Sequence, residues 1–206
     1  MAHGPARFTG INFSDAVLIP WDPDYNHCGQ GFRCERSEFA SHYKKRVPRD
    51  VECHLCQCWV ILDNNKLVGF ITLLADRLKV YDKPNDHNER HPRKILKSEG
   101  IKYRRFPAIK IGLLAVNERA TGMGAGRRLI EWAIDYVVNI IVPKMGVRFL
   151  TVDALYDKDT GYDISEFYTR FGFEYVKEDE ALPPKEAFRT LFLDLKYAIE
   201  IERTTG

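Results

Sequence analysis

One stretch, 109-IKIGLLAVNERATGMGAGRRLIEWAIDYVVNIIV-142, constrains the fold more than any other. Its apolar start predicts a strand over 108–116. Leu129, Trp132, Ala133, Tyr136, Val137, Ile140 and Ile141 recur at helical spacing and predict a helix over 126–142, stopped by Pro143. Between them, GMGAG sets three glycines in five residues. A strand, a glycine-rich turn and a helix form an anion-binding arrangement. Glycines admit close approach of the backbone, the first-turn N–H groups have no partner inside the helix, and the helix dipole favours negative charge. Phosphate or pyrophosphate is the ligand class this implies. A turn kept only for tight packing is the alternative.

The remaining pattern supplies a sheet around that unit. Residues 16-AVLIPW-21 predict a first strand, and 36-RSEFASHYKKR-46 a short helix with Pro48 near its end. The run 58-CWVILDNNKLVGFITLLA-75 reads as two strands around an Asn64-Asn65 turn. Residues 76–106 are polar and irregular, long enough to imply a functional, flexible or partly helical segment. A strand over 147–153, a short helix around 163–171 ended by Gly172, and strands over 173–176 and 188–195 complete the series. Hairpins come early and crossovers late, which predicts an α/β (α+β) fold with a central mixed, mostly antiparallel sheet flanked by helices.

With 206 residues, 45% hydrophobic and 29% charged, the chain can bury a sizeable core without staples. One domain spanning 1–206 is expected, with 76–106 as a variable basic insertion. A net charge of +2 gives no bulk preference for a partner, so any basic surface must be local. The sequence shows no signal-peptide pattern and no apolar run long enough to span a membrane. The five cysteines then point to reduced thiols and a cytoplasmic setting.

Two phosphate-binding patterns fit the glycines poorly. A P-loop needs Lys-Ser/Thr after its last glycine, and none follows here. A dinucleotide turn needs G-x-G-x-x-G, but Gly122 and Gly124 are followed by Arg127 where the third glycine should pack. Asp153, ending the next strand, is also farther from the turn than a ribose-binding acid should be.

A third pattern fits better. The stretch 113-LLAVNERATGMGAGRRLIEWA-133 resembles motif A of the GCN5-related N-acetyltransferases (GNAT), with Thr121 at the usual Gln/Arg position and Gly124 and Gly126 at the two glycine positions. Downstream, 167-FYTRFGFE-174 resembles the family's second signature. The succession from Tyr103 to Ala133 is most similar to a subgroup that includes the tRNA-acetylating toxins of toxin–antitoxin modules. The likeness covers about residues 36–195.

The resemblance implies acetyl-coenzyme A as donor and a primary amine as acceptor: an aminoacyl-tRNA, a small amine or a protein amine. It implies that the backbone of Leu114, Ala115 and Val116 pairs with the pantetheine arm and faces the thioester. Thr121, Gly122, Met123, Gly124, Ala125, Gly126 and Arg127 would wrap the pyrophosphate, with main-chain amides from Met123 to Arg127 as donors. Arg127, and less so Arg128, could add charge. Tyr168 would be the general acid, since a phenol stays protonated at neutral pH. The family's pantetheine-contacting Asn or Asp, seven residues before that tyrosine, falls on Gly161, so Asp159 or Asp163 would have to replace it. Glu118, Asp153 and His54 are candidates for a base, and none is assigned. A non-catalytic coenzyme A- or RNA-binding module of the same fold is the alternative.

Two further features stand apart. Cys28, Cys34, Cys53 and Cys56 have a spacing that allows a zinc site, although Cys56 and Cys58 also read as core residues of a strand; no metal is assigned. The segment 77–105 carries ten Lys and Arg against four acids, which makes RNA a candidate partner. A second copy pairing along strand 188–195, or an antitoxin, is the protein partner expected.

Overall fold

The computed structural model describes residues 8, 12–13, 16–79, 92–177, 184, 187–197 and 199. The chain divides into two compact units. Unit 1 comprises Met1–Leu74 and Ile111–Ile134, and unit 2 comprises Ala75–Lys110 and Asp135–Gly206.

Unit 1 begins with β1 (Ile19–Pro20), a 3-10 segment (Pro23–Gly29), and helices α1 (Ser37–Lys45) and α2 (Val47–Glu52). The sequence predicts one helix here, with Pro48 near its end. Instead Pro48 opens α2, because an early helical position needs no N–H bond from proline. Strands β2 (Gln57–Asp63) and β3 (Lys66–Lys79) form the expected hairpin. Asn64 (φ 46°) and Asn65 (φ 58°) both take the left-handed conformation that a tight hairpin turn demands. The register passes from Ile61↔Gly69 to Leu62↔Leu67, so Val68 is an extra residue and β3 bulges there.

Strand β4 (Arg105–Val116) leads through a 3-10 turn (Glu118–Ala120) into helix α4 (Ala125–Tyr136). Ala125, Leu129, Ile130 and Ala133 are fully buried along one face of α4, and Trp132 packs on Trp59 of β2 with ring centroids 4.9 Å apart. In unit 1 the strand order is β1-β2-β3-β4. Its core holds Phe32, Tyr43, Val47, Val60, Leu67, Phe70 and Ala115. Burying each large side chain contributes about 1.5–3 kcal/mol.

Unit 2 takes the far end of β3, the near end of β4, α3 (Pro92–Ser98), β5 (Phe149–Asp157), β6 (Tyr162–Asp163), α5 (Ser165–Thr169), β7 (Glu174–Tyr175) and β8 (Phe188–Asp194). The strand order is β3-β4-β5-β8-β7, with β6 on β5. Contacts between β4 and β5 advance together: the Phe106 and Phe149 rings meet at 5.8 Å, the Thr151 hydroxyl oxygen lies 3.4 Å from the Ile109 carbonyl, and Lys110 pairs with Asp153. That pair of strands is therefore parallel. The pairs β1–β2, β2–β3, β5–β8 and β7–β8 are antiparallel, giving the mixed, mostly antiparallel sheet expected. Phe106, Phe149 and Phe192 interlock edge to face at the centre of this core.

The described part of 76–106 is partly helical, one of the readings its composition allows. β3 runs on to Lys79, α3 covers 92–98, and β4 starts at Arg105. The end of α3 is fixed from a distance. Arg148 holds Asp194 through both carboxylate oxygens (2.6 and 2.8 Å) and also reaches Glu99 (3.1 Å), which Lys196 grips at 2.8 Å. Lys83, Arg90 and the acids Asp82, Asp86 and Glu89 lie outside the described residues, as does the side chain of Arg93. The helix predicted over 126–142 also changes character. After Tyr136 it widens into a π turn (Val137–Ile141), in which the Val142 amide reaches back to the Val137 carbonyl. Among the described residues, no helix is long and apolar enough to cross a membrane.

Candidate active site

In unit 1, the end of β4 departs from a regular ladder. The Leu113 amide donates to Thr72 Oγ1 at 2.8 Å, a side chain in place of a strand carbonyl. Gly112 makes this possible: a Cβ there would lie 2.9 Å from Thr72 Oγ1 and 2.7 Å from a Leu74 methyl. The strand ends at Val116, and Asn117 beyond it is buried and tied down three ways. Its amide donates to the Val68 carbonyl (2.7 Å), its side-chain amide to the Leu67 carbonyl (3.2 Å), and its Oδ1 accepts the Arg119 amide (3.1 Å). Leu114 and Val116 are half-buried and Ala115 is buried, on the segment that these bonds fix. Sequence reasoning missed Thr72, Gly112 and Asn117. A lone glycine inside a strand was the available signal, since it marks a bulge or a close approach.

The loop that follows is shaped by two glycines with positive φ, Gly122 (74°) and Gly124 (92°). A Cβ at either position would meet no protein atom within 4 Å, so these glycines serve conformation and leave the space above the loop open. The first intrahelical bond of α4 runs from the Arg128 amide to the Gly124 carbonyl at 3.0 Å. The amides of Ala125, Gly126 and Arg127 therefore lie ahead of the hydrogen-bonded ladder, as the donors of an anion site must. The Met123 amide is engaged by the Ala120 carbonyl at 3.2 Å, which narrows the expected donor set. No acid occurs from Arg119 to Ile130. A pyrophosphate fits this loop in shape, donor supply and charge.

The side chains around the loop are committed elsewhere. The Thr121 hydroxyl turns back to the Asn117 carbonyl at 3.5 Å. Arg127 is exposed and pairs with Glu131 one turn on, Nε to Oε1 2.8 Å. Arg128 donates to the Ala16 carbonyl at 2.9 Å, three residues ahead of β1. Among the described residues, what the loop leaves unengaged is its main chain, the amides of Ala125, Gly126 and Arg127.

In unit 2, Tyr168 sits on the five-residue helix α5 and is buried between Phe167 (centroids 5.2 Å) and Phe173 (5.8 Å). Burial, with a smaller effect from Tyr162, pushes its phenol above the ordinary value of 10.0, so it holds its proton across the physiological range. Gly172 (φ 83°) ends the helix, as expected. At the other end, Asp163 Oδ1 accepts the Ser165 amide at 2.8 Å and Oδ2 lies 3.4 Å from Arg189 Nη1. Asp163 thus caps and clamps α5. Asp159 is exposed on the preceding loop, and Gly161 takes a positive φ of 70°.

The candidate bases are placed as follows. Asp153 pairs with Lys110 and accepts the Thr190 hydroxyl at 2.9 Å. His54 and Glu118 are exposed. The cysteines differ in surroundings: Cys28 and Cys58 are buried, Cys53 is exposed, and Cys34 donates to the Arg36 carbonyl at 3.0 Å. Burial, helped by Asp50, pushes the Cys56 thiol up to about 11. Among the described residues, no three His, Cys, Asp or Glu side chains form a group able to hold a metal ion.

A family model described as an acetyltransferase (GNAT) domain matches residues 54–175, more than half the chain. The chain belongs to the GNAT acetyltransferase family. That family is the one its glycine loop and its F-Y-x-x-x-G-F segment resemble, and its donor is acetyl-coenzyme A. No curated protein matches this acetyltransferase. Its fold is similar to that of AtaT complexed with acetyl-methionyl-tRNAfMet, at 20% identity and TM-score 0.69 over 91% of this chain and 98% of that one. A tyrosine-to-phenylalanine mutant of KacT gives 19% identity and TM-score 0.69, over 90% and 98%. An AtaT mutant toxin bound to the C-terminus of the antitoxin AtaR and acetyl-CoA gives 19% and 0.64, over 92% and 99%. At such identities the likeness is one of fold alone.

Proposed function

We propose that this acetyltransferase transfers the acetyl group of acetyl-coenzyme A to the amino group of an aminoacyl-tRNA, and that residues 1–206 act as one domain. The observation that carries the acceptor is the surface at 97–105. Lys97, Lys102, Arg104 and Arg105 are exposed, with Tyr103 74% exposed among them. The neighbouring acids are already engaged: Asp76 accepts the Thr151 hydroxyl, and the exposed Glu99 is held by Arg148 and Lys196. Cations interleaved with an accessible aromatic suit a phosphate backbone and an unstacked base. The fold shared with AtaT complexed with acetyl-methionyl-tRNAfMet supports the same acceptor.

Acetyl-coenzyme A supplies an activated acetyl thioester. The amides of Ala125, Gly126 and Arg127 hold its pyrophosphate, and the main chain of Leu114, Ala115 and Val116 orients the pantetheine arm. The neutral acceptor amine forms the new C–N bond as the C–S bond breaks. Tyr168 gives its proton to the leaving sulfur, and the proton released by the amine passes through water back to the phenolate, restoring Tyr168 for the next turnover. Such an acceptor implies a cytoplasmic setting, and a protein antagonist comparable to AtaR is the partner we assign.

The test is acetyl transfer to charged total tRNA beside a panel of small amines and peptide N-termini, read by mass spectrometry. Acetylated aminoacyl-tRNA is expected. Turnover of small amines alone would move the acceptor to that class. Thr121 and Gly161, which depart from the family pattern, favour a second reading as a non-catalytic coenzyme A-binding module. Stabilisation by acetyl-coenzyme A without turnover of any amine would establish it.

A further inference from the structure

The corner between α1 and α2 in unit 1 carries a second concentration of positive charge. Lys44, Lys45, Arg46 and Arg49 are all exposed, and none has an ion pair among the described residues. Tyr43 and Val47, both 0% exposed, root the corner in the core between them. The backbone continues across it, with the Arg46 amide on the His42 carbonyl and the Asp50 amide on the Arg46 carbonyl, each at 2.8 Å. The four cations are thus presented on a rigid base. The nearest acid, Asp50, is half-buried and lies 3.8 Å from His42 Nε2; Glu52 is exposed at the far end of α2.

Helix electrostatics accounts for only part of this arrangement. Lys44 and Lys45 lie in the last turn of α1, where cations complement the dipole. Arg46 stands between the C-terminus of α1 and the N-terminus of α2, where the two dipoles oppose one another. Arg49 lies within the six residues of α2. Four like charges in six residues repel one another, and no acid within 40–49 offsets them. Such a cluster is stabilised when a polyanion supplies the missing charge.

We infer that the α1–α2 corner binds the phosphate backbone of the RNA acceptor, as a contact surface separate in sequence from 97–105. This rests on the aminoacyl-tRNA reading and extends it. The chemistry favours nucleic acid over an acidic protein. Protein interfaces are anchored by apolar and aromatic side chains and depleted in lysine. At this corner the apolar residues Tyr43 and Val47 are buried, and the exposed groups are cations. Phosphate contacts need only such cations, and they set register without reading sequence.

The test is anisotropy of fluorescently labelled, deacylated total tRNA between 50 and 200 mM salt. The wild type is compared with the full chain carrying Lys44→Gln, Lys45→Gln, Arg46→Gln and Arg49→Gln together. The variant should bind at least about tenfold more weakly at low salt. Its slope of log K against log salt should be shallower by about two to four, at roughly 0.9 for each phosphate that is no longer neutralised. Stabilisation by acetyl-coenzyme A and turnover of a small amine should not change. Should the quadruple variant fail to fold, the pairs Lys44/Lys45 and Arg46/Arg49 are each expected to give about half the change in slope. Unchanged affinity and slope would overturn the proposal. So would unimpaired tRNA binding with lost binding of polyglutamate, which would assign the corner to an acidic protein. Wild type that binds tRNA through this corner but acetylates no aminoacyl-tRNA would overturn the acceptor and leave the surface. Normal acetylation of aminoacyl-tRNA by the variant would do the reverse.

Discussion

The loop from Ala120 to Arg127 in unit 1 and the helix α5 in unit 2 both use glycines of positive φ, yet they offer opposite kinds of chemistry. At the loop, Gly122 and Gly124 shape a main chain whose amides we assign to the pyrophosphate, while Thr121, Arg127 and Arg128 are engaged elsewhere. At α5, Gly172 only ends the helix, and the group we propose for the chemistry is a single buried phenol on Tyr168. A site made of backbone is sensitive to conformation and tolerant of side chains. A site made of one side chain is the reverse. On this reading, a departure from the family pattern at Thr121 should be less damaging than one at Tyr168.

The sharpest way to break this contrast is Tyr168→Phe. The variant keeps the ring and its packing on Phe167 and Phe173 and removes only the proton donor. Its kcat should fall by about 10²–10⁴, with stabilisation by acetyl-coenzyme A unchanged in a thermal melt. A loss below tenfold would make Tyr168 a core aromatic. The pH dependence adds a check with a definite sign. Burial raises the phenol, so the protonated, donating form persists through neutral pH and beyond the ordinary value of 10.0. The wild-type kcat should show no alkaline limb from this group below about pH 10. A limb near pH 8 that vanishes in the Phe variant would contradict the burial argument.

Gly124→Val tests the backbone side. A branched residue at φ 92° carries strain of about 1–3 kcal/mol, and relief of that strain would move the N–H groups ahead of α4. KM for acetyl-coenzyme A should rise about ten- to a hundredfold, with a much smaller change in kcat at saturation. Equal losses in both would mean that the loop also acts in the chemical step. Gly112→Ala probes the same strand from beneath. Its methyl group would strike Thr72 Oγ1 and Leu74, and overpacking of this kind costs about 1–3 kcal/mol. A drop in Tm of about 2–10 °C is expected, and an unchanged Tm would show that β3 yields easily.

These sites differ in how far they can be read from sequence. The hairpin at Asn64-Asn65, the strand–loop–helix unit and the helix ending at Gly172 depend on turn chemistry and periodicity within a few residues, and all are legible. What escapes is held by distant partners. Thr72 meets Leu113 across 41 residues, and Asn117 meets Leu67 across 50. α3 sits in a polar segment without a clear period, fixed by Arg148 from 49 residues away. Pro48 reads as a stop, although the same fixed φ suits a helix start. Arg127 reads as a phosphate ligand, and its i,i+4 pairing with Glu131 is the competing use of the same guanidinium.

The network around Glu99 gives a smaller effect confined to unit 2. Hydrogen bonds from Arg148 and then Lys196 hold the Glu99 carboxyl down at about 2, against an ordinary 4.5. A depressed carboxylate contributes stability that is complete above its unfolded value and is lost as pH falls from about 4.5 towards 2. Glu99→Gln should therefore lower stability by about 1 kcal/mol at pH 7. Denaturant melts of the two proteins should converge as the pH drops through that window. A gap that stays constant down to pH 2 would assign the loss to packing.

Arg127→Ala should have the smallest effect, and it decides how strictly the loop is a backbone site. The side chain is 72% exposed and already paired with Glu131 at 2.8 Å. An exposed pair of this spacing on a helix contributes about 0.3–0.5 kcal/mol. If only its amide faces the ligand, alanine keeps the donor, and KM for acetyl-coenzyme A should rise no more than about twofold, with little dependence on salt. A rise of tenfold or more that fades at high salt would mean the guanidinium leaves Glu131 for the phosphates. Glu131→Gln should then tighten binding by freeing Arg127. Under the backbone reading, that variant leaves KM where it was.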